Sequence, residues 1–339
     1  MADGHSSRLT ALVTGAAGSV GPALVRHLAG QGYQVRVLAR SQPQPGLLPD
    51  SVRIVQGDLS ERQALQEAAT HVDIVFHLAA LLHLVNPPPA LREQYEQVNV
   101  GGTANVVEAA LQTGVKRLVF YSTIAVYGAS AAGQILSEAT PPCPATFYAQ
   151  TKLAAEQLVL QARRQDGQPL GTVLRLGAIY GPRVKGNYRR LAQALARGRF
   201  VSIGHGNNRR TLVYDGDVAR AAVLAASHPA ATGQIYNVSD GQLHTLNDII
   251  AAMCEALGRT PPRFSLPAGP ARFAAGILED VAQLAGRRSP IGRATLDKYV
   301  EDVAVSSQRI QAELGFVPKF DLRTGWQETI QTMRQSGDL

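Results

Sequence analysis

At 339 residues the chain is long enough for one large domain with a smaller one attached. Hydrophobic residues make up 45% and charged residues 17%, which excludes a disordered chain, a fibre or a repeat array. The net charge of +7 is spread over short pairs such as Arg163-Arg164, Arg189-Arg190, Arg209-Arg210 and Arg287-Arg288, so no nucleic-acid partner is expected.

The apolar run Leu9 to Val13 predicts a strand, followed by a glycine turn and an amphipathic helix from Pro22 to Gly30. Strands are expected next at Gln34 to Leu38 and Val52 to Gln56, then a helix over Glu61 to Ala69. Further strands fall at Val72 to Leu78, Leu118 to Ser122 and Thr172 to Leu176, and single long helices at Ala90 to Gly114 and Tyr148 to Arg164. This alternation predicts an α/β fold, a doubly wound parallel sheet of the Rossmann type. Beyond Gly181-Pro182 the rhythm loosens, with a helix at Asn187 to Gly198, a strand at Phe200 to Ile203 and a helix at Asp217 to Ala226. A smaller α/β C-terminal substrate domain, interleaved with the first, is therefore expected: residues 8–180 and 205–240 in the dinucleotide-binding body, 181–204 and 241–335 in the other. The segment from Phe264 to Arg293 reads as a helical packing unit.

Three glycines, Gly15, Gly18 and Gly21, stand at the strand-to-helix turn in Thr14-Gly-Ala-Ala17-Gly-Ser19-Val20-Gly21. The first permits the tight turn, the second lets backbone approach a pyrophosphate, and the third packs helix on strand. After the second strand, where an acid would bind the ribose 2′-hydroxyl of NAD, stands Ala39-Arg40; a guanidinium there meets the 2′-phosphate of NADP, so the cofactor is NADP or NAD with NADP favoured. Asp58 and Leu59 are placed to meet the adenine, with a helix N-cap as the other reading of Asp58.

Tyr148 and Lys152 lie one helical turn apart on one face. A free phenol has a pKa near 10, and the neighbouring ammonium and the positive charge of an oxidised nicotinamide are expected to lower it, making Tyr148 an acid/base. Ser122 and Thr123 close a strand with hydroxyls, one of which can bond a substrate oxygen.

Taken with Gly57-Asp-Leu59, His77-Leu-Ala-Ala80, Asn99-Val-Gly-Gly-Thr103, Ser122-Thr-Ile-Ala-Val-Tyr-Gly128 and Arg175, these motifs resemble the extended short-chain dehydrogenases, the NAD-dependent epimerase/dehydratase family, from about Leu9 to Ile330. The resemblance implies Thr123 and Tyr148 as catalytic, Lys152 also holding the nicotinamide ribose, and Leu78, Ala79, Ala80, Asn99, Ser122 and Leu176 around the cofactor. Leu176 stands where the family carries proline. It further implies a homodimer through the two long helices and a nucleotide-sugar substrate, UDP-linked, with Asn187 and Arg210 on the diphosphate and Arg293 on a second phosphate edge. Val184-Lys-Gly-Asn187 and Asn208-Arg-Arg210 are most similar to a subgroup of UDP-glucose 4-epimerase-like proteins and UDP-4-keto-hexosamine reductases.

A 4-epimerase and a 4-keto reductase share all these residues and both stay open. A dehydratase is disfavoured because Ile124, not an acid, follows Thr123. A reductase of a hydroxysteroid or small aldehyde, and a non-enzymatic NADP-binding sensor, are the alternatives from other classes. The two cysteines, Cys143 and Cys254, lack metal-ligand spacing, so no metal is expected, and a reduced, cytoplasmic setting follows as the default. Met1 to Arg8 carries no signal-peptide pattern. The longest apolar stretch, Phe273 to Leu284, is broken by Glu279 and Asp280, so no membrane partner is expected.

Overall fold

A computed structural model describes residues 8–81, 90–131, 133–284 and 292–339; the Arg287-Arg288 pair lies outside them. Strands β1 (Thr10–Thr14), β2 (Gln34–Ala39), β3 (Arg53–Gln56), β4 (Ile74–His77), β5 (Arg117–Thr123) and β6 (Gly171–Leu176) form a parallel sheet in the order β3-β2-β1-β4-β5-β6, and a strand at Ile235–Val238 extends it beside β6. This is the doubly wound Rossmann arrangement that the sequence predicts. The strand order reverses between β1 and β4, where ligands bind at the carboxyl ends of the strands.

Both faces of the sheet are covered, so β4 and β6 are buried at every position rather than alternating. Helix α1 (Gly21–Gly30), with Pro22 in its first turn, packs Leu24, Val25 and Leu28 on one face. On the other face lie α2 (Arg62–Ala69) and Val106 and Ala110 from a helix at Gly102–Gln112.

The single long helix expected from Ala90 to Gly114 is instead two, α3 (Ala90–Tyr95) and α4 (Gly102–Gln112), joined by a π-helical turn over Glu96–Gly101. The wider turn aims Asn99 inward, a geometry that helical periodicity alone does not announce. Helix α5 (Phe147–Gln161) starts where Thr146 Oγ1 accepts the Ala149 N–H at 3.2 Å.

Strand β7 (Ala178–Tyr180) leads out of the sheet into α6 (Gly186–Ala196), and short β8 (Ser202–Ile203), β9 (Arg209–Arg210) and β10 (Leu212–Tyr214) follow; β10 pairs with β7. Helix α7 (Asp215–Ser227) returns to the sheet and delivers β11, the strand at Ile235–Val238. Next come β12 (His244–Thr245), paired with β9, and α8 (Leu246–Leu257), begun by a Thr245/Asp248 capping box. Strand β13 (Ser265–Leu266), paired with β8, leads to α9 (Ala268–Leu284), α10 (Arg293–Val300), α11 (Gln308–Leu314) and α12 (Leu322–Gln335).

Trp326 of α12, stacked on Tyr180 with centroids 4.8 Å apart, centres a second core shared with α6 and α8. Ile310, Leu314 and Phe316 instead join the core under α1 and α7, and the Asp217 carboxylate accepts the N–H groups of Lys319 and Phe320 at 3.0 Å. Among the described residues no helix is long and apolar enough to cross a membrane.

Candidate functional site

A cleft of about 500 Å³ opens at the carboxyl ends of β1, β2, β4 and β5. Gly15 has φ +75°, and a Cβ added there would stand 2.6 Å from the Ala79 amide nitrogen, so only glycine fits between the ends of β1 and β4. At Gly21 a Cβ would meet the Ala16 carbonyl oxygen at 2.3 Å, and Gly18 donates its N–H to Gly15 O at 3.0 Å. The turn therefore presents backbone at the N-terminus of α1, where N–H groups and the helix dipole favour an anion.

The structure brings most of the predicted cofactor residues into this one wall: Gly15, Ala17, Gly18, Ser19, Val20, Gly21, Arg40, Asp58, Leu59, Leu78, Ala79, Ala80, Ser122, Tyr148, Lys152 and Leu176. Asp58 is not the N-cap of α2, a position held by Glu61; its Oδ1 accepts from the Ser60 N–H and hydroxyl, and these bonds, helped by Arg40, keep its pKa below the ordinary carboxylate value. Arg40 is exposed at the end of β2.

Asn99 stands behind the wall, with Oδ1 accepting the Leu81 N–H at 2.7 Å and Nδ2 donating to Thr151 Oγ1 at 3.1 Å. His77 is fully buried between Thr14 Oγ1 (2.7 Å) and Thr103 Oγ1 (3.0 Å). Because the Thr103 hydroxyl donates to Asn99 O at 2.6 Å, its oxygen receives the Nε2–H, and Nδ1 accepts from Thr14. Burial, reinforced by Lys152, pulls the His77 pKa down to about 3.

Tyr148 packs edge-on against buried Tyr95, and burial pushes its pKa up to about 12. Among the protein's own groups burial outweighs any pull from the Lys152 ammonium, which leaves the expected lowering to the positive charge of an oxidised nicotinamide. Lys152 is itself buried, with Nζ 3.9 Å from the centre of the Phe120 ring, and burial pulls it down to about 7 against the opposing pull of Glu156. An ammonium so costly to hold cannot dominate the desolvation of its neighbour.

Glu156, one turn beyond Lys152, is missed by the motif reading, although its spacing on the same helix face is a usable signal. It is 1% exposed, binds Arg175 through both oxygens and accepts from Ser122 Oγ. Arg175 also lies 4.7 Å from the centre of the Tyr127 ring, and the Tyr127 hydroxyl donates to Asn237 Oδ1 at 2.8 Å. The network ties α5, β5, β6 and β11 together behind the cleft. Sequence reading also omits Tyr121, a wall residue whose buried hydroxyl has no hydrogen-bond partner among the described residues, and Lys185, which lines the cleft at the start of α6.

The predicted substrate residues are not gathered in the cleft wall. Thr123 lies outside it, its Oγ1 accepting the Ala125 N–H at 3.2 Å. Asn187 is exposed in the first turn of α6. Arg210 and Arg293, expected to hold phosphates, already have partners within the protein, Arg210 through Nη2 alone. Arg210 donates to the carbonyls of Lys298 and Tyr299, and Arg293 binds the two oxygens of Asp280 at 3.0 and 2.8 Å. Among the described residues no His/Cys/Asp/Glu group could hold a metal ion.

A cleft of this size fits an extended dinucleotide. Its backbone turn suits a pyrophosphate.

Residues 11–239 match the model of the NAD dependent epimerase/dehydratase family. The chain is 27% identical to an N-acetyl-alpha-D-glucosaminyl-diphospho-ditrans,octacis-undecaprenol 4-epimerase of Escherichia coli, over 94% of each protein. It is 31% identical to a 2-alkyl-3-oxoalkanoate reductase of Stenotrophomonas maltophilia, over 93% of this chain and 96% of that one. Its fold is similar to that of MoeE5 solved with UDP-glucuronic acid and NAD, with TM-score 0.75 and 30% identity over 96% of this chain and 99% of the other. The chain belongs to the NAD-dependent epimerase/dehydratase family and is an enzyme that uses a nicotinamide dinucleotide.

Proposed function

We propose that the enzyme acts at C4 of a nucleotide-activated sugar, as a 4-keto reductase or a 4-epimerase, with Tyr148 as the acid/base. The observation that carries this reading is the convergence of the glycine turn, Arg40, Ser122, Tyr148 and Lys152 on one cleft. When bound, the nicotinamide gives or takes the hydride. The chain supplies the proton.

Burial keeps the Tyr148 phenol protonated across the physiological range, so it holds a proton to give to a ketone oxygen, and the positive charge of an oxidised nicotinamide would ease its loss. Lys152, with a pKa of about 7, is poised both to donate hydrogen bonds to ribose hydroxyls and to return a proton to the tyrosine oxygen. Thr123 serves the substrate oxygen. Arg40, in the position that reads the adenine ribose, favours NADP. Lys185 and Asn187, adjacent at the start of α6, are available to the diphosphate, in keeping with relatives that act on or bind diphosphate-linked sugars.

A second reading, reduction of an apolar ketone, is favoured by one observation: the Arg293 fork is engaged by Asp280 and Arg210 Nη2 by backbone carbonyls. It agrees with the 2-alkyl-3-oxoalkanoate reductase relative. Thermal unfolding with and without millimolar UDP, in the presence of NADP, separates the two. A raised midpoint supports the nucleotide sugar; no change with UDP, together with NADPH consumption on a 3-oxo ester or steroid ketone, overturns it.

A further inference from the structure

Helix α9 is amphipathic in the inverted sense. Ala275 and Gly276 face inward, where the Arg293 guanidinium leaves no room for a Cβ on Gly276. Pro270, Phe273, Ala274, Ile277 and Leu278, at the i, i+3, i+4, i+7, i+8 spacing of one helical face, are all exposed, Phe273 at 73%. The β8–β13 ribbon continues this surface, because Gly204 at its end lies beside Ala268 of α9 and Val300 of α10. On the ribbon Val201, Leu266 and Phe264 are exposed, the last at 86%. A monomeric protein in water has no use for so much protruding apolar area on adjoining elements.

The charge around it identifies the occupant. Arg197, Arg199, Arg259 and Arg263 are exposed on the segments leading into β8 and β13, and none of them forms an ion pair among the described residues. A cavity of about 480 Å³, walled by Leu195, Phe200, Cys254 and Arg259, opens at the same end. Protruding Phe and Leu beside unpaired arginines are the two elements of an interfacial membrane-binding surface: apolar side chains enter the acyl boundary while cations meet anionic headgroups.

We propose that α9 and the β8–β13 ribbon seat the enzyme on an anionic phospholipid bilayer, lying on it without spanning it. The expectation of no membrane partner rests on the lack of a spanning apolar run, a criterion that a one-sided stripe escapes.

The test is sedimentation of the full chain with vesicles of phosphatidylcholine alone or mixed with phosphatidylglycerol, read without turnover and therefore independent of the substrate. Binding to the mixed vesicles at low salt is expected, weakened about tenfold or more by high salt or by omission of phosphatidylglycerol. The pairs Phe264→Ser with Phe273→Ser, and Arg199→Glu with Arg263→Glu, are each expected to weaken it about tenfold, with unchanged unfolding midpoints. The salt and lipid-charge dependence of the unaltered protein examines the same point without a variant. No binding to mixed vesicles overturns the proposal. So does binding indifferent to lipid charge and to both variant pairs, or a dimer in light scattering that Phe264→Ser abolishes.

Discussion

The cofactor cleft and the α9 face answer opposite demands. In the cleft, charge is buried and accounted for: Glu156 and Arg175 satisfy one another, and His77 is held between two hydroxyls. On α9 it is apolar surface that stands in water, while Arg197, Arg199, Arg259 and Arg263 near the β8–β13 ribbon form no ion pair among the described residues. Removing a buried partner strands a charge or a polar group, whereas removing an exposed phenyl ring strands nothing. The cost of substitution is therefore expected to fall steeply from one region to the other.

The steepest drop is expected for Tyr148→Phe, which keeps the ring against Tyr95 and removes the proton donor: turnover of the best substrate falls by about a thousandfold with little change in thermal midpoint. A variant retaining most of its turnover would remove Tyr148 from the chemistry. Glu156→Gln leaves Arg175 buried and uncompensated and costs about 3 to 5 kcal/mol in urea unfolding; a loss under about 1 kcal/mol would show the cleft wall to be far more accommodating than its geometry implies.

For His77 the folded pKa of about 3 lies below the free value of 6.5, so the unfolded chain binds the extra proton and stability is lost as pH falls through that window. Replacing His77 by Gln should flatten this acid limb, an effect on the order of 5 kcal/mol over the full window, of which about 3 kcal/mol is read from unfolding midpoints between pH 6.5 and 4. Arg40→Asp should shift the NADP:NAD ratio of kcat/KM toward NAD by about tenfold or more; an unchanged ratio would assign Arg40 to solvent. Smallest of all, Phe273→Ser should alter stability by less than about 0.5 kcal/mol, and a larger loss would mean that the ring is covered after all.

Much of the cleft was legible because its demands are local. Gly15, Gly18 and Gly21 are needed where strand meets helix within a few residues, and Tyr148 and Lys152 share a face by spacing alone. Asn99 was named, but not the π-turn that aims it, since apolar periodicity is blind to one residue of extra winding. Glu156 went unnamed because its meaning depends on Arg175, nineteen residues away on another element. The upward push of burial on the Tyr148 pKa went unread for a related reason: the spacing shows the ammonium but not that Lys152 is buried and the phenol half-buried beside it. For Arg210 and Arg293, the sequence shows a fork without showing that backbone carbonyls hold one nitrogen of the first and Asp280 binds the second. The stripe at Phe273, Ile277 and Leu278 misled in the other direction: helical spacing of apolar residues implies burial, and the structure turns them outward.

The return of the chain to its starting body has a consequence for synthesis. Ile310, Leu314 and Phe316 complete the core that α1 begins near residue 21, and Asp217 waits for the amides of Lys319 and Phe320. On the ribosome, the nucleotide-binding body therefore stays open along one flank until residues 310 to 320 emerge. A nascent chain arrested before residue 308 lacks that flank, and its exposed apolar strip there would be a target for chaperones before any cofactor could bind tightly.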